Sequence, residues 1–110
     1  MSERGDLELV ADMREAIARI ERYTAGRSYE TFLQETMVQD AVVRNLEILG
    51  EAAKRLSPAF RSAHDGIAWT AIAGMRDRLI HHYSGVNWDI VWDVVVTKLP
   101  ALRAVLSDAR

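Results

Sequence analysis

The chain has 110 residues, no cysteine and a formal net charge of −2 at pH 7. This length is typical of one domain with a core of its own, and the lack of cysteine excludes disulfides and thiolate zinc sites. A negative net charge argues against holding long nucleic acid through the overall field, so any such contact must depend on local arginines. The charged N-terminal residues and the lack of a long apolar run predict a cytoplasmic protein with no membrane contact.

The first part of the chain has the periodicity of an amphipathic helix. Apolar residues recur there at steps of 3, 4 and 3, with charged residues between them. A helix is therefore predicted over roughly residues 6–24, ending near Gly26, with a short helical or irregular piece around residues 29–33. The apolar positions that define this first helix are Val10, Met13, Ile17 and Ile20.

A second long helix is predicted from about Met37 to Leu56. Its apolar arc is wide, which indicates packing on two sides and a position that is central or at a subunit interface. Ser57 precedes Pro58, so the helix should stop there, and residues 59–66 are expected to form a loop with some helical turn. The arc is formed by Val38, Ala41, Val42, Leu46, Ile48, Leu49, Ala52, Ala53 and Leu56.

A third helix should begin near Ile67 and end before Ser84-Gly85, which break the pattern. Asn87 is a suitable N-cap for a fourth helix, and Pro100 should kink this helix or restart it as a short last one. No segment alternates with a period of two. The sequence therefore predicts an all-α, up-and-down bundle of four to five helices in a single domain over residues 1–110.

The most informative stretch lies at the end of the third helix, where arginine, histidine and tyrosine stand five and seven residues apart. Arginine can hold a phosphate and histidine can move a proton near pH 7, so the pair suits RNA cleavage without a metal. Arg76 falls inside the apolar arc of its helix. It either pairs with an acidic group such as Glu47 or Glu51, or lies at an interface and receives a phosphate. The stretch is Arg76-Asp77-Arg78-Leu79-Ile80-His81-His82-Tyr83.

The histidines have alternative interpretations. His81 lies roughly 140° around an ideal helix from Arg76, so the two are not an obvious catalytic pair within one protomer, and His81 alone is interpreted as a capping or surface histidine. His82 lies one turn after Arg78, which makes these two an alternative pair, and His64 is expected to be exposed in a loop. No Glu-x-x-His or His-x-x-x-His spacing occurs, so no metal site and no cofactor are predicted. Tryptophans 69, 88 and 92 are expected to be packing anchors.

Several blocks of the sequence, in order along most of the chain, resemble the HepT-like family of HEPN-domain toxins. One departure is visible: the residue after the motif arginine is often asparagine in that family and is Asp77 here, which adds a negative charge near the scissile phosphate. The matching blocks are Asp12-Met13, Ala16-Ile17, Val43-Arg44-Asn45-Leu46-Glu47-Ile48-Leu49-Gly50-Glu51-Ala52, Ile67-x-Trp69-x-x-Ile72-x-Gly74-Met75-Arg76, Arg76-(x)4-His81-x-Tyr83 and Val86-Asn87-Trp88-Asp89-Ile90-Val91-Trp92.

The resemblance implies a homodimer in which two copies of the motif face each other across a cleft. It implies metal-independent RNA cleavage, with tRNA among the candidate substrates. His81 would act as general base on a ribose 2′-hydroxyl and Arg76 would stabilise charge on the phosphorus. The residues suggested as support for this pair are Arg44, Glu47, Glu51 and Asp77.

The resemblance also implies a partner and a means of control. HepT-like toxins pair, in a type VII-like toxin–antitoxin system, with a minimal nucleotidyltransferase antitoxin that transfers AMP to the motif tyrosine, here Tyr83. Added phosphate at this position would block the cleft by charge and bulk. The alternative function is a non-catalytic helical adaptor dimer that binds the nucleotidyltransferase or a nucleotide.

Overall fold

A computed structural model of the protein describes residues 5–81 and 85–108, without the side chains of Arg76, Leu79, Ile80, His81 and Asp108. Within these residues every regular element is helical, which confirms the all-α prediction. The elements are α1 (Asp6–Thr24), α2 (Tyr29–Gln34), α3 (Thr36–Arg55), α4 (Pro58–Ala63), α5 (Trp69–His81), α6 (Trp88–Asp93), a π-helical segment (Val94–Lys98) and α7 (Leu99–Asp108).

Helix α3 is the central element of the bundle. It packs against α1 on one side and against α5 on the other, as its wide apolar arc predicted. Most of its arc is buried, and α7 packs back onto α1. The core residues with no more than 2% of their surface exposed include Leu9, Met13, Ile17, Ile20, Phe32, Val42, Leu46, Leu49, Leu102 and Leu106.

Local sequence signals explain the ends of the first two helices. Gly26 has a φ of 75°, which places it in the left-handed region that glycine enters without strain, and α1 ends just before it. The Ser28 side chain accepts a hydrogen bond from the Thr31 backbone N–H and so caps α2. The chain therefore turns back sharply between α1 and α3.

Helix α4 corrects the prediction of a mostly irregular connection over residues 59–66. Ser57 caps this helix by accepting a hydrogen bond from the Phe60 N–H at 3.1 Å, and Pro58 occupies its first turn. The Ser57 backbone N–H and hydroxyl also donate to the two carboxylate oxygens of Asp6, at 2.9 and 2.6 Å. The Ser57-Pro58 pair thus ends one helix and starts the next, and Asp6 ties that junction to the start of α1.

The C-terminal stretch adapts to Pro100 through a local widening of the helix. Pro100 has no N–H, and in an α-helix its ring would clash with the carbonyl four residues before it. Just ahead of it the chain forms the π-helical segment, in which the Leu99 N–H donates to the Val94 carbonyl five residues earlier. The predicted disturbance therefore takes the form of a π turn between α6 and α7.

No helix among the described residues is long and apolar enough to span a membrane.

Candidate active site

The motif helix α5 is anchored at its start. Trp69 is 5% exposed, and its indole N–H donates to the His64 carbonyl at 2.9 Å. The His64 ring stacks on Phe60 with 4.4 Å between the ring centroids. His64 is therefore half-buried, which corrects its expected exposure. Its ring helps to fix the loop from which α5 begins.

The second half of α5 carries the predicted catalytic pair. The backbone places both Arg76 and His81 in α5, and the predicted end of this helix before Ser84-Gly85 lies outside the described residues. The side chains of both residues lie outside the description, as do all atoms of His82 and Tyr83. The proposed pairing of Arg76 with Glu47 or Glu51, the pairing of Arg78 with His82 and the role of Tyr83 therefore stay predictions.

The chain is fixed again soon after the motif. The Asn87 side chain accepts a hydrogen bond from the Ile90 N–H at 3.2 Å and caps α6, as predicted. The rings of Trp88 and Trp92 pack on Phe32, at centroid distances of 5.7 and 5.0 Å, so both tryptophans are packing anchors.

A polar contact supports the same junction. The Tyr29 hydroxyl donates a hydrogen bond to the Asp89 carboxylate and so joins α2 to α6. This hydrogen bond, followed by desolvation, raises the pKa of the Tyr29 phenol above its ordinary value. The start of α5 and the start of α6 are therefore both anchored by side-chain contacts.

Asp77 lies next to the motif arginine and contacts the central helix. Its Oδ2 atom is 3.7 Å from Nζ of Lys54, which is on α3. Both side chains are about half exposed, at 47% and 52%. The sequence pattern does not single out Lys54, because a contact between residues this far apart in the chain leaves no periodic signal.

The three other supporting residues lie together on the surface of α3. Arg44, Glu47 and Glu51 border a cavity of about 260 Å³ that Asp12 of α1 and Arg55 also line. The Arg44 guanidinium is 4.0 Å from the Glu47 carboxylate. This is a patch of mixed charge, so it offers no uniformly positive surface for a phosphate backbone. In the described part of the chain, no group of three or more His, Asp or Glu side chains is arranged to hold a metal ion.

A larger groove of about 720 Å³ runs between α5 and the C-terminal helices. Its lining is mostly apolar and includes Ile72, Met75, Val91 and Leu102. Arg78 and Lys98 supply positive charge to it, one from each side. The sequence did not predict this groove, because it depends on how far two helices stand apart.

The chain is an all-α bundle in which the central helix α3 packs against α5, the helix that carries the Arg-(x)4-His segment. This architecture is the one expected of a HEPN-type nuclease. The family model described as Ribonuclease HepT-like matches residues 13–109, and the chain belongs to this family. The family match and the ribonuclease names of the relatives place the chain among the ribonucleases and favour an enzyme over the non-catalytic adaptor.

Curated relatives agree with this placement. The chain is 38% identical over 107 residues to "Probable ribonuclease HepT" of Thermococcus cleftensis, and the match covers 97% of each protein. It is 44% identical over 83 residues to "Putative RNase TTE0752" of Caldanaerobacter subterraneus, which covers 76% of this chain and 74% of that protein. No solved structure matches the chain.

Proposed function

We propose that this chain is the toxin of a type VII-like toxin–antitoxin pair and cleaves RNA without a metal ion. Its active site is composite, with Arg76 and His81 supplied by both protomers of a homodimer. The observation that carries the proposal is the family match across α5, together with the presence of both residues in that single helix.

The spacing of the two residues favours a site shared between protomers. Five residues along an α-helix correspond to a rise of about 7.5 Å and a rotation of about 140°. Two side chains so placed do not converge on one phosphate from the same helix. When two copies of α5 face each other, His81 of one protomer can lie opposite Arg76 of the other.

The chemistry follows from the properties of the two groups. Neutral His81 takes the proton of a ribose 2′-hydroxyl, and the 2′-oxygen attacks the adjacent phosphorus. A protonated histidine, for which the second His81 is the candidate, gives a proton to the departing 5′-oxygen. The guanidinium of Arg76 holds the non-bridging oxygens by two hydrogen bonds and stabilises their growing negative charge. The products are a 2′,3′-cyclic phosphate and a 5′-hydroxyl.

The proposed control acts on Tyr83. A minimal nucleotidyltransferase antitoxin transfers AMP from ATP to its hydroxyl, which loses its proton while pyrophosphate leaves, and the new phosphodiester places negative charge and bulk two residues from His81. RNA is a polyanion, so this charge repels the substrate from the cleft and the nucleotide blocks access.

Cleavage assays with purified protein test the nuclease. The wild type should cut total RNA, and His81→Ala and Arg76→Ala should each lower the rate by at least about a hundredfold, since they remove a proton-transfer group and a charge-stabilising group. The matched control is Arg103→Ala, which removes an exposed arginine that pairs with Glu21 on α1. Loss of activity in the control, or full activity in His81→Ala, would contradict the assignment.

Two further measurements define the mechanism. A substrate with 2′-deoxyribose at the mapped cleavage site should resist cleavage, because it lacks the nucleophile. Activity should survive prolonged treatment with EDTA, whereas loss that Mg²⁺ or Mn²⁺ restores would establish metal dependence and refute this part of the proposal.

The regulatory tyrosine needs its own assay. Tyr83→Phe should remain a toxin and should not be labelled when the cognate nucleotidyltransferase and radiolabelled ATP are added. Tyr23→Phe, which removes a tyrosine at the end of α1, is the matched control and should be labelled like the wild type. Continued labelling of Tyr83→Phe would place the acceptor elsewhere.

A further inference from the structure

The contact between Lys54 and Asp77 joins two helices at the level of the motif. Lys54 Nζ of α3 lies 3.7 Å from Asp77 Oδ2 of α5. Asp77 follows Arg76 directly in the sequence, so the Cα atoms of these two residues are about 3.8 Å apart. The carboxylate charge is thus placed beside the residue proposed to hold the phosphate.

This pair has little to do with holding the bundle together. Both side chains are about half exposed, and ion pairs of this kind contribute little to stability. The packing of α3 against α5 is supplied by buried apolar residues such as Leu49, Ala53 and Trp69. A role for the pair must therefore lie in its charge.

The charge matters because RNA is a polyanion. The carboxylate of the residue next to Arg76 lies on the order of 10 Å from a phosphate that the arginine holds, which is about one screening length at moderate salt. A carboxylate without a neighbouring cation would repel that phosphate and lower the affinity of the site for RNA. An ammonium group in contact with the carboxylate offsets this repulsion.

We infer that Lys54 is a positioning residue of the active site, because by pairing with Asp77 it offsets the negative charge beside Arg76 and thereby permits RNA to bind. The inference rests on the proposed location of the RNA site at Arg76 and His81. Lys54 acts through Asp77, and the RNA itself is not its partner.

The neighbouring residue on α3 provides a matched control. Arg55 is also basic and exposed, but it lines the cavity between α1 and α3. Lys54→Met and Arg55→Met remove the same charge from adjacent positions. Any effect of net charge alone would therefore appear in both variants, whereas an effect through Asp77 would appear only in the first.

The test is a set of four variants assayed on a short RNA that contains the cleavage site mapped for the wild type. Lys54→Met should raise KM about two- to fivefold, as expected for one exposed charge at this distance, with little change in kcat. The increase should vanish at high salt, because the charge is then screened. Arg55→Met should behave like the wild type, and all variants should keep its melting temperature within a few degrees.

The decisive variant is the double substitution Lys54→Met with Asp77→Asn. Without the carboxylate the lysine is no longer needed, so the KM of the double variant should return to the wild-type value. Asp77→Asn alone should lower KM below the wild-type value. An unrescued double variant would mean that Lys54 contacts RNA directly, and an unchanged KM in Lys54→Met would mean that the pair has no role. Either result overturns the inference.

The Kd for a short RNA of fixed sequence, chosen without reference to cleavage and measured with each substitution in a His81→Ala background, separates this inference from the proposed function. If the wild type does not cleave RNA, the nuclease assignment fails. The Kd values of the four variants then test the inference about Lys54, by the same comparisons as those given for KM.

Discussion

At the scale of single residues, the hydrogen bond between Tyr29 and Asp89 makes the contact between α2 and α6 depend on the protonation state of Tyr29. The phenol donates a hydrogen bond to a carboxylate, so ionisation of Tyr29 would break the bond and place two negative charges side by side. Both effects favour the neutral phenol, and the pKa of Tyr29 is raised for this reason. A raised pKa in the folded state means that the contact stabilises the protein only while the tyrosine is protonated.

Tyr29→Phe should therefore destabilise the protein at neutral pH, and the difference from the wild type should be constant up to the ordinary tyrosine pKa of about 10. It should shrink as the pH rises through the higher pKa of the folded state, because the wild type loses the hydrogen bond there. Denaturant unfolding at a series of pH values measures the difference. An ultraviolet titration should show one late-titrating tyrosine that disappears in Tyr29→Phe and persists in Tyr23→Phe.

Contacts of this kind mark the limit of what the sequence predicts for single residues. The Asn87 cap was predictable because the capped N–H lies three residues away in the chain. The Tyr29–Asp89 bond spans 60 positions, and its existence depends on how α2 and α6 are brought together. The same holds for Lys54 and Asp77, whose meeting depends on the packing of α3 against α5.

At the scale of elements, the long helices were predictable because each must bury an apolar stripe, and the stripe has the period of the helix. The predicted bounds of the first two long helices differ from α1 and α3 by no more than one residue. The sequence prediction does not include helix α4, because Ser57-Pro58 is the stop signal of the helix before it. A serine cap followed by proline in the first turn is also a start signal, and the six-residue helix is too short to show a stripe.

The central position of α3 gives a quantitative prediction about stability. Leu46 is completely buried at the middle of this helix, whereas Met37 at its start is 85% exposed. Leu46→Ala should lower the free energy of unfolding by about 2–5 kcal/mol, because it leaves a cavity that packed neighbours cannot fill. Met37→Ala should change it by less than about 0.5 kcal/mol.

Urea unfolding at one fixed protein concentration measures both variants, since an oligomer gains apparent stability with concentration. Equal losses in the two variants would mean that Met37 is buried in an assembly. A small loss in Leu46→Ala would show that α3 is not the centre of the core.

At the scale of the whole molecule, the net charge of −2 and the proposed function require an uneven distribution of charge. The surface between α1 and α3 has mixed charge, whereas Arg78 and Lys98 line the groove beside α5. A two-fold axis near the motif would bring two such basic regions together and double the local positive charge without changing the charge per protomer. A dimer therefore reconciles an acidic chain with a polyanionic substrate.

The proposed composite site, with Arg76 and His81 from different protomers, leads to a prediction that a site within one protomer does not. Arg76→Ala and His81→Ala should each be inactive as homodimers. When the two are mixed and allowed to exchange protomers, about half of the dimers become mixed. Each mixed dimer has His81 of one protomer opposite Arg76 of the other and lacks the second histidine proposed as the acid, so the mixture should regain part of the wild-type activity, which neither variant has alone.

Replacing one component of the mixture with the double variant Arg76→Ala/His81→Ala controls for exchange itself, because no dimer then contains both groups. Native mass spectrometry should confirm that mixed dimers form in both experiments. If mixed dimers form and activity stays absent, a single His81 opposite a single Arg76 does not form a working site, and this pairing across the interface is refuted as sufficient for cleavage.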